Sequence, residues 1–183
     1  MQREAVVAVY PGTFDPLTNG HAGLVRRACA VFDTVVVAVA GDSPKNTLFS
    51  VEERVEMART AFADNPNVEV ESFSGLTVDY AERRKAGVIL RGLRAVSDFD
   101  YEFQITLMNR KMKRHINTVF LMADYQWLYI SSTVVKASAK LGGDIRGLVP
   151  DNVYYRLREK FGYPYPVDPD ADTGTEADAE NDG

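Results

Sequence analysis

The feature that most constrains the fold of this chain is a regular alternation of short apolar runs with longer helical patterns. The apolar runs, rich in Val, Ile, Leu and Phe, lie at residues 5–10, 34–40, 68–73, 88–90 and 118–122. The first, second and last are nearly continuous, which is typical of parallel strands buried on both faces. Helical patterns lie at residues 21–32, 51–63, 78–85, 99–114, 133–141 and 152–161.

This order of segments predicts an α/β protein. We expect a Rossmann-like, doubly wound sheet of five parallel strands with helices on both faces, followed by C-terminal helices. Ligands of such sheets bind beyond the C-terminal ends of the strands, at the point where the strand order reverses. Residues that directly follow the strands are therefore the first candidates for a functional site.

Charge is distributed unevenly along the chain. The 183 residues carry a formal net charge of −5, but residues 167–183 hold seven acidic residues and no lysine or arginine. Removing these seven from the 26 acidic residues leaves 19 against 21 basic ones, so residues 1–166 are slightly positive and suit an anionic ligand. We predict one folded domain at 1–166 and a disordered acidic tail at 167–183.

Cysteine content and hydropathy exclude several protein classes. Cys29 is the single cysteine, which excludes an intramolecular disulfide and a thiolate metal cluster, so we expect a cytoplasmic protein. No apolar run approaches the roughly 20 residues that span a bilayer, so no membrane partner is expected. No cluster of His, Cys and carboxylates has the spacing of metal ligands.

The loop after the first strand is the first candidate site. Residues 10–21 read YPGTFDPLTNGH, without a P-loop lysine or a G-x-G-x-x-G pattern, which disfavours kinase-like and dinucleotide-binding proteins. Gly20 and His21 open a helix, where free N–H groups attract phosphate and a histidine can donate to a phosphoryl oxygen. Thr13 and Thr18 add hydroxyl donors. An ordinary turn is the alternative.

Two further loops carry weaker signals. Lys45 follows the second strand and could supply a point charge for a phosphate, although a lone loop lysine is usually solvated. The third strand runs into Ser74, Gly75, Leu76 and Thr77, which could offer backbone donors or form an ordinary turn with a helix cap.

The fourth strand is followed by Arg91 and Arg94, separated by Gly92 and Leu93. Guanidinium groups bind phosphate through paired hydrogen bonds, so phosphate binding is the favoured interpretation. The alternative is that the two arginines form ion pairs with the nearby Asp98 and Glu102.

After the fifth strand, three hydroxyl residues follow one another at Ser131, Ser132 and Thr133. One hydroxyl is enough to cap a helix. Three at the mouth of a sheet that already carries a histidine and two arginines favour a second phosphate-binding segment. Taken alone, the segment would be a helix cap.

The helix at 99–114 ends in a basic cluster formed by Arg110, Lys111, Lys113, Arg114 and His115. We interpret it as a solvated helix end that complements the helix dipole, and nucleic-acid binding is the less favoured alternative. Met108 and Met112 of the same helix are interpreted as packing residues, in the core or at a subunit contact.

The motifs together resemble one enzyme family. Segments GTFDP (12–16), TNGH (18–21), RGLR (91–94) and ISST (130–133) are similar to those of bacterial phosphopantetheine adenylyltransferases, in the nucleotidyltransferase superfamily with the H-x-G-H signature. Thr18 stands at the first position of that signature. The resemblance covers about residues 4–162, so it identifies 1–166 as a nucleotidyltransferase domain, and it assigns no role to the tail.

The resemblance implies an activity and its partners. Such an enzyme transfers AMP from ATP to 4′-phosphopantetheine, giving dephospho-coenzyme A and pyrophosphate in the penultimate step of coenzyme A biosynthesis. Similarity to the family also implies a Mg²⁺ requirement, a homohexamer and feedback by coenzyme A. The ion would be bound through the substrate phosphates, so no residue is assigned to a metal.

Site residues are assigned by the same resemblance. Catalysis is assigned to His21, as transition-state stabiliser, with Lys45 and Arg91. Phosphopantetheine binding is assigned to Thr13, Lys45, Thr77 and Arg91. ATP binding is assigned to Thr13, Phe14, His21, Gly92, Leu93, Arg94, Glu102, Trp127, Leu128, Tyr129, Ile130, Ser131, Ser132 and Thr133. Gly75 departs from some relatives, which carry an acidic residue there.

The chemistry fits these assignments. An incoming phosphate is already a nucleophile, so in-line attack on the α-phosphorus of ATP requires no covalent enzyme intermediate. Lys45, Arg91, Arg94 and Mg²⁺ would offset the repulsion between two polyanions. Three alternatives stay open: a related enzyme that builds CDP-glycerol or NAD, a non-catalytic nucleotide-binding module, and an RNA-binding protein that uses the basic cluster.

Overall fold

The computed structural model describes residues 4–42 and 46–164. Lys45 and the acidic tail at 167–183 lie outside these residues. The strands are β1 (Val7–Gly12), β2 (Thr34–Ala40), β3 (Val68–Phe73), β4 (Val88–Leu93) and β5 (Asn117–Met122). The helices are α1 (Asn19–Ala28), α2 (Val51–Ala61), α3 (Thr77–Arg83), α4 (Val96–Met112), α5 (Ser132–Lys140) and α6 (Asp151–Lys160), with a 3₁₀ turn at Tyr125–Trp127.

The five strands form one parallel sheet in the order β3-β2-β1-β4-β5. This confirms the α/β, Rossmann-like prediction. The chain first builds outward from β1 to β3 and then crosses back to β4, so the strand order reverses between β1 and β4. Ligands of such sheets bind at this position.

Apolar side chains alternate along the strands into two cores, one on each face of the sheet. Val35 and Val37 of β2 point into the larger core, which packs under α1, α2, α5 and α6. Val36 and Ala38 point into the smaller core, which contains side chains of α3. Burial on both faces explains why these strands are continuous apolar runs in the sequence.

Two strands extend further than the sequence predicts. β1 runs through Pro11 to Gly12 because it is paired with β2 over its whole length, whereas it pairs with β4 only at Ala8 and Val9. Pro11 therefore lies where the strand has one neighbour, a position that proline tolerates. β4 continues to Leu93 alongside β5. Beyond Val9 the two central strands diverge and leave a crevice.

The longest helix, α4, contributes no fully buried side chain among those described. Leu107 and Met108 are more than half exposed, and Met112 is 40% exposed. Of the two alternatives for Met108 and Met112, the core is therefore excluded, and the subunit contact stays a prediction. In the described part of the chain, no helix combines the length and apolar character that crossing a membrane requires.

Candidate active site

A cavity of about 670 Å³ lies at the crevice between β1 and β4. It brings together side chains from every loop that the sequence singled out within the described residues. His21 and Arg94, which the mechanism requires at one site, both line it. The predicted residues on its wall are Thr13, Phe14, His21, Thr77, Arg91, Gly92, Arg94, Glu102, Trp127, Ile130, Ser131 and Ser132.

Four of the predicted ATP-binding residues lie elsewhere. The side chain of Leu93 is buried, and Leu128 and Tyr129 are exposed, and none of the three lines the large cavity. Thr133 lines a smaller neighbouring cavity of about 180 Å³, which shares Thr13 and His21 with the large one.

His21 is fixed by a reciprocal helix cap. The backbone N–H of His21 donates to the Thr18 hydroxyl at 3.4 Å, and the backbone N–H of Thr18 donates to His21 Nδ1 at 3.1 Å. Because Nδ1 accepts a hydrogen bond, the ring proton of the neutral imidazole lies on Nε2. The ring therefore presents a hydrogen-bond donor on the side opposite its cap.

The electrostatic environment keeps this imidazole neutral. Burial, followed by the positive charge of Arg94, lowers the pKa of His21 to about 4. A neutral ring at pH 7 is a directional donor rather than a cation. The sequence predicts free N–H groups at the start of α1, but the N–H groups of Asn19 and His21 already donate to the Leu148 carbonyl and the Thr18 hydroxyl.

Aromatic rings form the floor beneath His21. The Phe14 ring lies edge-on to the imidazole with centroids 5.3 Å apart, and the Tyr10 ring lies edge-on to Phe14 at 5.4 Å. Phe14 is buried and has a φ of 48°, a backbone conformation that residues other than glycine rarely adopt. Gly12 makes room for this ring, since a Cβ there would lie 2.7 Å from it.

Both arginines of the RGLR segment are held by carboxylates of α4. Arg91 donates from Nε to Glu102 at 2.6 Å and also from Nη2, and its Nη1 reaches the Pro11 carbonyl across the crevice at 3.4 Å. Arg94 pairs with Asp98 at 3.3 Å and is about half exposed. The ion-pair interpretation is therefore confirmed, and the paired guanidinium groups remain on the cavity wall.

Hydroxyls at the start of α5 are already engaged with the main chain. Ser131 caps the helix by accepting from the Val134 N–H at 3.2 Å, and Ser132 donates to the Pro16 carbonyl at 2.8 Å. The helix-cap interpretation therefore holds for Ser131, while Ser132 ties α5 to the loop after β1. Trp127 packs over Gly20 and Gly23 of α1 and closes this side of the cavity.

Comparison with known proteins identifies the family. The profile of the Cytidylyltransferase-like family matches residues 9–138. A phosphopantetheine adenylyltransferase of Nitratidesulfovibrio vulgaris is 70% identical over 172 residues, covering 94% of this chain and 92% of the relative. One of Oleidesulfovibrio alaskensis is 72% identical over 161 residues, covering 88% and 95%. One of Solidesulfovibrio magneticus is 62% identical over 160 residues, covering 87% and 93%.

This chain belongs to the phosphopantetheine adenylyltransferase family. The resemblance drawn from its motifs is thereby confirmed. Within this adenylyltransferase fold, the motifs recognised in the sequence are the segments that meet at the crevice.

Several wall residues of this adenylyltransferase are missed by sequence reasoning. The sequence places Tyr10 at the end of a strand, yet it lines the cavity, and burial raises the pKa of its hydroxyl to about 12. Leu24, Ala40 and Phe73 give no signal because apolar residues on a cavity wall resemble core residues. Tyr101 could have been found, since it precedes Glu102 on the helix that holds Arg91.

Proposed function

We infer that this chain transfers AMP from ATP to 4′-phosphopantetheine by direct in-line attack on the α-phosphorus, with His21 as the donor that stabilises the transition state. As a member of its family, it is a nucleotidyltransferase that makes dephospho-coenzyme A from ATP and phosphopantetheine. The observation that carries the mechanism is the placement of His21, Arg91 and Arg94 on the wall of one cavity at the strand-order reversal.

The acceptor phosphate supplies the nucleophile in this mechanism. Its oxygen attacks the α-phosphorus while the bond to pyrophosphate breaks, so no side chain needs to form a covalent bond. The engagement of the Ser131 and Ser132 hydroxyls with the main chain supports this route. Holding two reactants in line can lower a barrier by roughly 7–11 kcal/mol.

The neutral His21 ring provides a donor for the charge that develops on the phosphoryl oxygens. One well-placed donor of this kind contributes about 2.7–4 kcal/mol. Arg91 and Arg94 offset the repulsion between the two polyanions, and Glu102 and Asp98 hold the guanidinium groups in place. Lys45 is predicted to bind the same phosphates, and Thr13 and Thr77 are predicted to contact the acceptor.

Mg²⁺ is proposed as the cofactor, held by oxygens of the substrate phosphates. The described residues contain no group of three or more His, Cys, Asp or Glu that could hold a metal ion. The cavity wall instead carries cations, which fits a site that receives phosphates together with their own counterion. When bound, the ion would shield the negative charge of the phosphates.

Assembly is proposed from the exposed apolar side chains of α4, and six subunits are proposed from the resemblance to the family. Phe99, Phe103 and Leu107 recur at every fourth residue along one side of this helix and are each at least 40% exposed. Contiguous apolar surface of this kind is usually covered by another protein surface. Light scattering is expected to give about six times the 20.3 kDa of one chain, and a monomer or trimer would contradict the proposal.

Further partners follow from the same site. Coenzyme A contains both the phosphopantetheine and the adenosine parts of the two substrates, so we propose that it occupies this cavity as a feedback inhibitor in the cytoplasm.

Nucleic acid is not proposed as a partner. Lys113 pairs with Glu82 at 2.7 Å and His115 with the same carboxylate at 3.4 Å, which neutralises part of the basic cluster.

An acceptor assay tests the function. The purified chain receives ATP, Mg²⁺ and either 4′-phosphopantetheine or nicotinamide mononucleotide, with CTP and glycerol 3-phosphate as a third arm. Pyrophosphate and dephospho-coenzyme A are expected only with phosphopantetheine. Product from nicotinamide mononucleotide alone would overturn the assignment, and ATP binding without pyrophosphate release would indicate a non-catalytic module.

A further inference from the structure

Arg54 is a buried cation that the mechanism does not use. It lies near the start of α2, and its side chain is only 1% exposed. Charged groups are rarely buried unless their hydrogen bonds and charge are compensated. The partners that compensate Arg54 therefore indicate what it does.

The Arg54 side chain donates its hydrogen bonds to main-chain carbonyls close to the cavity. Nη1 donates to Thr13 O at 2.6 Å and to Ala40 O at 3.0 Å. Nε donates to the carbonyls of Phe49 and Ser50, both at 3.2 Å. Thr13 and Ala40 line the cavity at the ends of β1 and β2, whereas Arg54 lies behind that wall.

Asp15 binds the same segment from the other side. Its carboxylate is 4% exposed and accepts from the N–H groups of Leu48 and Phe49 at 3.0–3.1 Å, and from the Lys136 ammonium. Arg54 holds the carbonyls of residues 49 and 50, and Asp15 holds the preceding N–H groups. The loop after β1 and the segment that leads into α2 are thereby bound to each other.

We propose that Arg54 is a positioning residue for AMP transfer. By binding the carbonyls of Thr13 and Ala40, it holds the loop after β1 and the end of β2 in place beside the acceptor phosphate. This proposal rests on the proposed function. A second effect supports it: carbonyl oxygens at the end of a parallel sheet carry partial negative charge, which opposes the approach of phosphate. Binding the Thr13 and Ala40 carbonyls to a guanidinium offsets that charge beside the anionic site.

The experiment compares Arg54→Lys with Arg59→Lys in the full chain. A lysine keeps the charge at position 54, but its ammonium is a single point and cannot reach both pairs of carbonyls. Arg59 is the matched control: it lies on the same helix and also donates to a strand carbonyl, that of Val70 at 3.2–3.3 Å, away from the cavity.

The measurements are the thermal midpoint, kcat and KM for phosphopantetheine, and the Kd of ATP from Trp127 fluorescence. We expect Arg54→Lys to lower kcat/KM for phosphopantetheine at least tenfold while the Kd of ATP changes less than threefold. The reason is that Arg94, Trp127 and Ile130 come from the segments after β4 and β5, whereas Arg54 binds the carbonyls of residues 13, 40, 49 and 50. Arg59→Lys is expected to leave both values within twofold of the parent chain.

Each other outcome counts against the proposal. A folded Arg54→Lys variant with unchanged kcat/KM overturns it, as does a loss that affects ATP and acceptor equally and follows the fall in thermal midpoint. If neither Arg54→Lys nor Arg54→Gln folds at the assay temperature, the residue is structural and the proposal fails. Absence of dephospho-coenzyme A with the unsubstituted chain would instead refute the proposed function.

Discussion

The two sides of the crevice hold their functional groups in different ways. On the β1 side, His21 is fixed by Thr18 and the Thr13 carbonyl by Arg54, within a well-buried part of the chain. On the β4 side, Arg91 and Arg94 are held by carboxylates of α4, a helix whose apolar side chains are exposed. One half of the site is therefore prearranged by the core, and the other depends on a helix that needs a covering partner.

Replacing His21 with alanine tests the β1 side of the crevice and is expected to lower activity more than any other substitution. Without the Nε2 donor, kcat is expected to fall on the order of 100-fold or more while the KM values change little. Steady-state kinetics measures this. His115→Ala, which removes the chain's other histidine, is the control and is expected to be fully active. A near-normal kcat for His21→Ala would remove the imidazole from the mechanism.

Glu102→Gln tests the half that α4 supports. Arg91 keeps a neutral acceptor but loses its counter-charge, so kcat/KM for phosphopantetheine is expected to fall about tenfold, as for a charged hydrogen bond of roughly 1.5 kcal/mol. Asp98→Asn is the matched comparison and is expected to cost less, because the Arg94 side chain is 45% exposed. If both substitutions lower kcat/KM equally, the difference in burial between the two ion pairs does not determine how much each contributes.

Leu107→Asp tests whether α4 requires a covering partner. A carboxylate on the exposed apolar face is expected to dissociate the assembly and to lower kcat about three- to tenfold, since Glu102 would lose its support. Light scattering and kinetics measure the two effects. Leu141→Asp is the control: Leu141 is 85% exposed and lies outside α4. If Leu107→Asp stays assembled, this face is not the contact surface.

The pH dependence is expected to be the smallest effect on activity. Since the pKa of His21 is lowered from 6.5 to about 4, the imidazole stays neutral and kcat should show no His21 titration between pH 6 and 8. Folding stability behaves differently, because the unfolded chain binds a proton that the folded chain does not. The free energy of unfolding should fall by about 2 kcal/mol from pH 7 to pH 5.

Urea unfolding of the unsubstituted chain and of His21→Gln, each at pH 7 and pH 5, isolates this contribution. The pH-dependent loss is expected to be smaller in the variant by that amount. An identical loss in both proteins would show that His21 titrates normally in the folded state.

The sequence was sufficient to predict the parallel sheet, because strands that are buried on both faces are continuous apolar runs. It was also sufficient to predict the site segments, because Arg91 and Arg94 lie at the end of β4, His21 opens the helix after β1, and parallel strands end at one edge of the sheet. The predicted end of β1 was wrong because Pro11 was read as the end of the strand. Whether a proline ends a strand depends on how many neighbouring strands pair with it at that position. The divergence of β1 and β4, which creates the cavity, is a property of strand pairing that no single segment encodes.

Arg54 and α4 show why the remainder could not be predicted. Arg54 stands in a run of charged helix residues and has the pattern of a solvated position. The carbonyls that bind it come from residues 13, 40, 49 and 50, which only the fold brings together. The sequence of α4 likewise does not show which of its apolar side chains are exposed, nor what covers them.

The helix cap that engages His21 Nδ1 has a consequence for the direction of the reaction. A ring with one nitrogen committed to the main chain cannot relay a proton from one side of the site to the other. We therefore expect each turnover to leave the His21 imidazole in its starting protonation state. An enzyme of this design needs no resetting step, and it should run backwards from dephospho-coenzyme A and pyrophosphate to ATP with the same groups in the same roles.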